Sequence, residues 1–446
     1  MEKVQKMARS VKDSEKPGMA DIHRTHYARE LGEHLVGKEV RIGGWIEDVR
    51  DIGKLAFVTV RDATGACQII VTSDNVQKAV QAQRQSAVVV AGVVQKSKAR
   101  DFPVEVKVSE FSILTGAVHP LPIDPTGRVE SAFDKRLDAR ALDLRNPKVA
   151  AIFRLRSAGL KAVRDLLRSE GFIEVNTPKI IGSASEGGAN LFGFEYFKRK
   201  AYLAQSPQLY KEQLTLGLDR VFEIGPYFRA ENSHTVRHLT EFTSVDVEAA
   251  FLDYEDVMDL VEKVVRTVAK EFNENCSREL ELAGAKKTEI GKIERLTYEQ
   301  CLDELAKTGE KLAFGDDLSD AALRKLGEAH SGFYFITDWP LKLKPFYIHE
   351  KEDDPRLSKS FDLQHGYLEL VSGGRRLHDP AKLRARLAEQ GLNPEGFAEH
   401  LKAFDWGMPP HSGWGLGFDR LMMVLTGAQN VREVVLYPRD TDRLTP

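Results

Sequence analysis

The sequence predicts an α+β protein with two domains, a small five-stranded β-barrel followed by a larger region that mixes helices and strands. Three observations support this prediction. The 446 residues exceed what one hydrophobic core usually serves. Residues 38–114 hold five β-rich runs separated by Gly, Asp and Asn, and residues 148–446 alternate amphipathic helices with strand-like runs. The proline-rich segment 116–147 between them reads as a hinge or linker.

Composition describes an ordinary globular protein, with 42% hydrophobic and 29% charged residues. The net charge of −3 gives no overall basic field for nucleic acid, although a local basic face is compatible with it. The three cysteines, Cys67, Cys276 and Cys301, lack CxxC spacing, which argues against a disulfide framework or a zinc site. No apolar run reaches the length of about 18 residues that a membrane-spanning helix needs. The scattered cysteines favour a reducing compartment, and we expect a cytoplasmic protein.

The N-terminal half contains the predicted barrel. Residues 1–20 are polar and Lys-rich, and we expect disorder there, with an RNA-binding or targeting helix as the alternative. In residues 21–115, five strands with a short helix after the third follow the order of an OB barrel, whose open face binds oligonucleotides. Another small barrel is the alternative.

The larger region, residues 148–446, opens with a predicted helix. Leu155, Leu160, Val163 and Leu167 are among its apolar positions, and Gly171 ends it before the strand-like "FIEVNTP". A second amphipathic helix covers 253–275. Residues 276–330 are polar, and we expect a small helical insertion there.

Two predicted strands carry more charge than a core strand should. They are "FEIGPYFRAE" at 222–231 and "EFTSVDVE" at 241–248. Alternation places Glu223, Arg229 and Glu231 on one face of the first strand, and Asp246 and Glu248 on one face of the second. A charge buried without a partner costs several kcal/mol. Either these charges neutralise one another or a polar ligand completes the set; a solvated outer face is the alternative.

A glycine-rich strand, "SGWGLGFDRLMMVL" at 412–425, runs into a helix. Gly413, Gly415 and Gly417 would let a flat ligand approach the backbone, and Arg420 could hold a phosphate bidentately. Glycine-eased packing with Arg420 in a surface ion pair is the alternative. The run matches neither a Walker loop nor a Rossmann fingerprint.

Together these motifs resemble class II aminoacyl-tRNA synthetases. "FRAE…RH…EF" is similar to motif 2 and "GLGFDR" to motif 3, while "GFIEVNTP" resembles motif 1, whose proline, Pro178 here, lies at the dimer interface in that family. "SEGGANLF", "LAQSPQLYK", "SFDLQHGYLELVSGGRR" and "GMPPHSGWGLG" resemble the shorter, archaeal-type aspartyl-tRNA synthetases. The resemblance covers residues 22–446 and implies an OB anticodon-binding domain, a catalytic domain built on an antiparallel sheet, and a homodimer.

The resemblance also implies an ATP site with Mg²⁺ as cofactor. Arg229 would contact the α-phosphate, Arg420 the γ-phosphate and Glu231 the adenine, on which Phe242 would stack. Arg229 and Arg420 would be catalytic, and Glu369 and Ser372 would be the magnesium ligands. The implied ATP-binding set is Arg229, Ala230, Glu231, Arg237, His238, Leu239, Phe242, Glu369, Gly417, Phe418, Asp419 and Arg420.

For L-aspartate, the resemblance implies that Lys211 and Arg376 hold the side-chain carboxylate and that Asp246 suits the α-ammonium. Glu186 would lie on a mobile loop that closes over the amino acid. An asparaginyl enzyme, the main alternative, typically lacks this lysine, because a neutral amide does not need it. The implied aspartate-binding set is Glu186, Gln208, Leu209, Tyr210, Lys211, Arg229, Asp246, Ser372 and Arg376.

In the barrel, Arg50, Phe57 and Gln68 match positions that bind or stack on anticodon bases. Core packing is the alternative for Phe57. Glu47 and Asp101 depart from the pattern of strict enzymes at positions that help to separate the aspartate anticodon from the asparagine anticodon. The expected partners are therefore tRNA(Asp) and, where discrimination is absent, tRNA(Asn).

The expected function is an aspartate–tRNA ligase that makes aspartyl-adenylate and esterifies tRNA. Besides the asparaginyl enzyme, two alternatives come from other functional classes: a non-catalytic RNA-binding paralogue and an amide-forming asparagine synthetase relative. Arg229, Glu369 and Arg420 are all present, which argues against the paralogue. The barrel argues against the asparagine synthetase relative, which usually lacks one.

Overall fold

Five strands close into a barrel in the order β1-β2-β3-β5-β4. In the computed structural model, which describes residues 22–72, 75–182, 191–232 and 235–446, a single helix, α1 (Asn75–Gln81), follows the third strand. The expected OB order is therefore confirmed. The strands are β1 (Glu39–Asp51), β2 (Leu55–Arg61), β3 (Ala66–Thr72), β4 (Ala87–Lys96) and β5 (Val104–Thr115).

Strict alternation explains why these residues form a barrel wall. Along β2, Ala56, Val58 and Val60 are buried, whereas Phe57 and Thr59 lie on the outer face. Side chains of successive strand residues point to opposite faces, so the inward set fills the barrel and the outward set is left for other contacts.

The segment 116–147, expected to be a linker, contains two short helices, α2 (Phe133–Asp138) and α3 (Arg140–Asp143). Arg140 is only 1% exposed, and its Nη1 donates to Asp143 Oδ2 at 3.1 Å. The chain divides into two compact units between Pro147 and Lys148. The expected disordered segment 1–20 and the expected substrate-loop residue Glu186 lie outside the described residues.

The second unit is built on an eight-stranded sheet in the order β12-β13-β14-β15-β16-β11-β10-β6. Neighbouring strands are antiparallel except at the two edges of the sheet. There β6 runs parallel to β10, and β12 runs parallel to β13. The strands are β6 (Ile173–Glu174), β10 (Arg220–Phe228), β11 (Glu241–Ala250), β12 (Glu294–Thr297), β13 (Phe333–Thr337), β14 (Ser360–His365), β15 (Leu368–Arg375) and β16 (His411–Gly417). A smaller sheet contains β7 (Ile180–Ile181), β8 (Gly193–Tyr196) and β9 (Arg199–Leu203).

Helices cover one face of the large sheet and form the main core with it. Leu155, Val163 and Leu167, three of the apolar positions expected in the first long helix, are fully buried there. The helices of this unit are α4 (Pro147–Ser169), α5 (Gln208–Leu218), α6 (Tyr254–Asn275), α7 (Ser277–Ala283), α8 (Tyr298–Lys307), α9 (Asp320–Ala329), α10 (Pro380–Glu389), α11 (Ala398–Phe404) and α12 (Phe418–Thr426). Short 3₁₀ turns occur at Ala28–Glu30, Glu33–Leu35, Leu341–Leu343, Pro394–Phe397 and Val431–Glu433.

The segment 276–330, expected to be a small helical insertion, contains one strand in addition to its helices. The segment holds α7, α8 and α9, but β12 also lies within it and pairs with β13, so the segment extends the large sheet. Strand β12 has only four residues and is mostly polar, which left no alternation to read in the sequence. Within the described ranges, none of the helices has the length and apolar character needed to cross a lipid bilayer.

Candidate active site

The open face of the large sheet forms the floor of a cleft. Along β11, Val245 and Val247 enter the core, whereas Phe242, Ser244 and Asp246 face the cleft. The cleft encloses roughly 1350 Å³ of empty space, its open mouth included. The enclosed part of the cleft measures about 330 Å³, at the lower end of the range for small-molecule sites.

Buried charges at one end of the cleft neutralise one another. Helix α5 begins at Gln208, and Lys211 on its first turn reaches across to β11. The Nζ of Lys211 lies 3.0 Å from Asp246 Oδ1 and 3.5 Å from Glu248 Oε2, and it donates to Trp414 O at 3.1 Å. Both charged partners are almost fully buried, which explains how β11 can carry two carboxylates inside the domain.

Arg376 provides a second buried cation at this end. Its Nε and Nη2 donate to the two oxygens of Glu248 at 2.9 and 3.2 Å. Burial alone would lower the pKa of Arg376, but Glu248 outweighs that effect and raises it. Because Lys211 and Arg376 line the cleft beside Asp246, this end offers donors to a carboxylate and an acceptor to an ammonium group.

Glu223 lies directly opposite Asp246 on the neighbouring strand, on the face that alternation predicts, but it does not line the cleft. It is buried outside the cleft, where its carboxylate accepts from Thr177 Oγ1 at 2.7 Å and lies 2.5 Å from Lys179 Nζ. The third buried charge of the two strands therefore fixes the segment around Pro178 rather than contributing to the cleft.

At the other end, Arg229 lies over an aromatic ring. Its guanidinium carbon is 5.5 Å from the centroid of the Phe242 ring, and its Nη1 is 3.7 Å from Glu231 Oε1. A cation and a carboxylate around one half-buried aromatic ring form a suitable place for a flat, polar ring.

Arg420, on the first turn of α12, bridges two backbone segments at the cleft. Its Nη1 donates to Glu369 O at 2.8 Å and its Nε to Arg237 O at 3.4 Å. Burial, followed by the charge of Arg420, lowers the pKa of His238, so this histidine is neutral near pH 7. Arg237, His238 and Arg420 line the same stretch of the cleft wall. Their nitrogens can donate hydrogen bonds to a chain of phosphates.

Two carboxylates next to this wall fit a divalent cation. The Glu369 side chain lines the cleft. Desolvation by the surrounding protein, followed by the negative charge of Asp362, raises its pKa. Asp362 Oδ2 accepts from Lys344 Nζ at 2.8 Å, whereas its Oδ1 is buried and has no hydrogen-bond partner among the described residues. Across the part of the chain that the structure describes, no cluster of three such ligands occurs, so phosphate oxygens and water would have to complete the shell.

Most residues of the two implied sets meet in this cleft. Those that line it are Gln208, Lys211, Arg229, Glu231, Arg237, His238, Leu239, Phe242, Asp246, Glu369, Ser372, Arg376, Gly417, Asp419 and Arg420. Residues as far apart in the chain as Gln208 and Arg420 are therefore assembled into one site.

Among the described residues of those sets, four do not line the cleft. Leu209 packs in a separate apolar cluster and Tyr210 against another, because successive residues of a helix point in different directions. Phe418 is fully buried in the main core. Ala230 is also absent from the lining.

The glycine-rich strand serves the protein as well as a ligand. A Cβ on Gly413 would lie 2.2 Å from Val247 O and from Glu248 Oε2, so the glycine makes room for the buried carboxylate and not for a ligand. A Cβ on Gly417 would meet nothing closer than 3.7 Å. Of the three glycines, only Gly415 and Gly417 line the cleft.

Several lining residues were not identified from the sequence: Gln205, Ser206, Ser244, Lys344 and Tyr347. Asp362, beneath the lining, is a further one. It stands between Phe361 and Leu363, both fully buried, and a charge inside such an apolar run is the signal that could have identified it.

On the barrel, the three implied anticodon residues share a surface. Arg50 pairs directly with Phe57 across β1 and β2, and Phe57 pairs with Ile70, two residues from Gln68 on β3. Gln68 donates to Glu105 Oε2 at 2.7 Å. The Phe57 side chain is partly exposed on the outer face, not packed in the barrel core.

The two atypical positions of the barrel lie in different settings. Glu47 forms an ion pair with Arg61, and its side chain is only 12% exposed. Asp101 is exposed in the loop between β4 and β5. The carboxylate of Glu47 is thus already neutralised by the protein.

Comparison with known proteins agrees with this geometry. The model of the family described as tRNA synthetases class II (D, K and N) matches residues 132–441, and that of the OB-fold nucleic acid binding domain matches 40–114. Proteins named Aspartate--tRNA(Asp/Asn) ligase from Methanothermobacter thermautotrophicus and Methanocaldococcus jannaschii are each 45% identical, over 96% and 95% of this chain and 100% and 98% of their own.

Solved structures of similar fold include asparaginyl-tRNA synthetase from Pyrococcus horikoshii complexed with asparaginyl-adenylate. It has a TM-score of 0.89 and 33% identity over 95% of this chain and 100% of that chain. Aspartyl tRNA synthetase from Entamoeba histolytica has a TM-score of 0.83 and 31% identity over 95% and 93%. The chain belongs to the class II tRNA synthetases (D, K and N), with an OB-fold domain at its N-terminal side.

Proposed function

We propose that this chain is an aspartate–tRNA ligase that activates L-aspartate with ATP and transfers it to tRNA(Asp) and tRNA(Asn). The observation that carries the choice of amino acid is the pair of cations at one end of the cleft, Lys211 and Arg376, set beside the carboxylate of Asp246. A side-chain carboxylate needs fixed cations, whereas the α-ammonium needs an acceptor.

In the first half-reaction, an α-carboxylate oxygen of aspartate attacks the α-phosphorus of ATP, and pyrophosphate leaves. Arg229 stabilises the charge that develops on the α-phosphate, while Arg237, His238 and Arg420 hold the outer phosphates. Phe242 and Glu231 position the adenine. No protein nucleophile is required.

Glu369 and Asp362, with Ser372 nearby, would hold Mg²⁺, which supplies neutralisation of phosphate charge when bound. In the second half-reaction, a terminal ribose hydroxyl of tRNA attacks the carbonyl carbon of the adenylate and AMP leaves. Arg50, Phe57 and Gln68 would read the anticodon by stacking and hydrogen bonding.

Charging of both tRNAs is proposed because the two archaeal relatives carry both in their names. Glu47 forms an ion pair with Arg61, so the barrel presents no aromatic side chain at this position. Strict enzymes use this position to separate the aspartate anticodon from the asparagine anticodon. We also propose a homodimer through the segment around the exposed Pro178, and a cytoplasmic location, which three buried, unpaired cysteines favour.

Two assays test the proposal. Pyrophosphate exchange should depend on L-aspartate and not on L-asparagine, and labelled aspartate should be joined to purified transcripts of both tRNAs. The asparaginyl alternative is supported by the fold of the Pyrococcus enzyme. Exchange driven by asparagine would establish that alternative, and charging of tRNA(Asp) alone would restrict the substrate range.

A further inference from the structure

Beneath the amino-acid end of the cleft lies a buried carboxylate to which no role has been assigned. Glu212 follows Lys211 on α5, is fully buried and does not line the cleft. Its Oε1 accepts from Gln208 Nε2 at 2.7 Å, and its Oε2 lies 3.2 Å from His411 Nε2. An isolated buried carboxylate would be costly, so this pair of partners accounts for its presence.

The contact decides which way the amide of Gln208 points. A carboxylate only accepts hydrogen bonds, so the nitrogen of Gln208 must face Glu212, and the carbonyl oxygen Oε1 is the end left for the cleft. Gln208 is 3% exposed and lines the cleft near Asp246. The amide is therefore presented as an acceptor.

His411 holds Glu212 from the other side. Its Nδ1 lies 2.8 Å from Pro409 O and its Nε2 faces Glu212 Oε2, and these two contacts fix the orientation of the ring. Burial alone would raise the pKa of Glu212, but the hydrogen bond from His411 and nearby charge, including that of Arg376, lower it to about 2. Glu212 is thus a permanent acceptor for Gln208 near neutral pH.

We propose that Glu212 is a positioning residue of the amino-acid site, which orients the Gln208 amide so that its carbonyl oxygen accepts from the α-ammonium of the substrate. This inference rests on the proposed function. It divides the end of the cleft into an acceptor side, with Gln208 and Asp246, and a donor side, with Lys211 and Arg376. Without Glu212 the amide could rotate and present its NH₂ to the ammonium.

The test is a double-mutant cycle read by aspartate-dependent pyrophosphate exchange. Glu212→Met should raise the aspartate KM about tenfold, with kcat and the ATP KM changed less than threefold. If Glu212 acts through Gln208, the double variant with Gln208→Met should show the same aspartate KM as Gln208→Met alone. Independent effects that multiply in the double variant would overturn the proposal.

The conservative variant separates orientation from simple packing. Glu212→Gln retains an oxygen that can accept from Gln208, so its aspartate KM should return to within about threefold of the unaltered protein. Impairment equal to that of Glu212→Met would overturn the proposal. Circular dichroism and thermal unfolding of each variant report whether it folds.

Should Glu212→Met fail to fold, Glu212→Asp takes its place. It keeps the charge but withdraws the carboxylate by one methylene from Gln208, and the same rise in aspartate KM is expected. An unchanged KM would refute the assignment. The proposed function fails by a different result, the lack of aspartate-dependent exchange in the unaltered chain, so the two failures are distinguishable.

Discussion

Replacing Lys211 by Met tests the choice of amino acid most directly. Methionine keeps the length and most of the volume of lysine but removes the charge that would meet the aspartate side chain. A hydrogen bond to a charged group contributes about 1.5–3 kcal/mol, and leaving a buried charge unpaired costs more. We expect a loss of about 3 kcal/mol in transition-state binding, which is more than a hundredfold in kcat/KM for aspartate.

The same substitution also acts on stability. Glu248 retains Arg376, but Asp246 loses its only cation among the described residues and keeps the hydrogen bond from Ser244 Oγ at 2.6 Å. Removing one partner of a buried ion pair costs about 3–5 kcal/mol, and we expect the lower end of that range. Urea unfolding must therefore accompany the kinetics.

Lys351→Met is the matched control. Lys351 Nζ lies 2.9 Å from Asp338 Oδ2 in a partly buried ion pair, and Lys351 does not line the cleft. Its loss should lower stability while leaving kcat/KM for aspartate within about twofold. Pyrophosphate exchange at varied aspartate measures the effect, and ATP-induced protection against unfolding checks nucleotide binding. A folded Lys211→Met protein with unchanged exchange kinetics would refute the reasoning.

Three further predictions concern other parts of the molecule. Phe57→Ala should leave pyrophosphate exchange unchanged but raise the tRNA KM in aminoacylation ten- to a hundredfold, since stacking on one base contributes about 1–3 kcal/mol; equal KM values would contradict this. Gly413→Ala should lower the urea midpoint of unfolding and the aspartate affinity, because the new Cβ would lie 2.2 Å from a backbone oxygen. Gly417→Ala is the control and should leave the midpoint unchanged. Equal midpoints for the two variants would argue against a steric clash at Gly413. Burial alone would lower the pKa of His330, but Glu304 and Glu294 raise it, so its stabilisation is complete below about pH 6.5 and is lost as pH rises through the higher folded value. His330→Gln should therefore reduce the free energy of unfolding on the order of 1 kcal/mol more at pH 6 than at pH 9, and a pH-independent loss would contradict the assignment.

Local sequence patterns predicted much of the fold, because strand alternation, turn residues and helical spacing depend only on residues close together in the chain. Five alternating runs with turn residues between them were enough to give the barrel order, and apolar spacing identified the long helices α4 and α6. The weak point was β12, whose four residues are too few and too polar to show a period. Its place in the sheet depends on pairing with β13, a contact that no local pattern records.

The candidate site, too, was predictable from local sequence in part only. Sequence motifs identified Lys211, Arg229, Arg376 and Arg420, and the structure brings them to one cleft. Leu209 and Tyr210 stand in the same motif, yet the turn of α5 directs them into apolar clusters. A motif therefore located the segment but not the direction of every side chain in it.

By itself, the sequence determined which faces of the strands are polar, where the glycines lie and which residue types are available for phosphate and carboxylate recognition, because periodicity and residue chemistry are local. Only the tertiary structure decided which charge meets which. Arg376 reaches Glu248 across 128 positions and Lys211 reaches Asp246 across 35. Whether a buried charge is neutralised by the protein or left for a ligand depends on such distant partners, and these are fixed by packing alone.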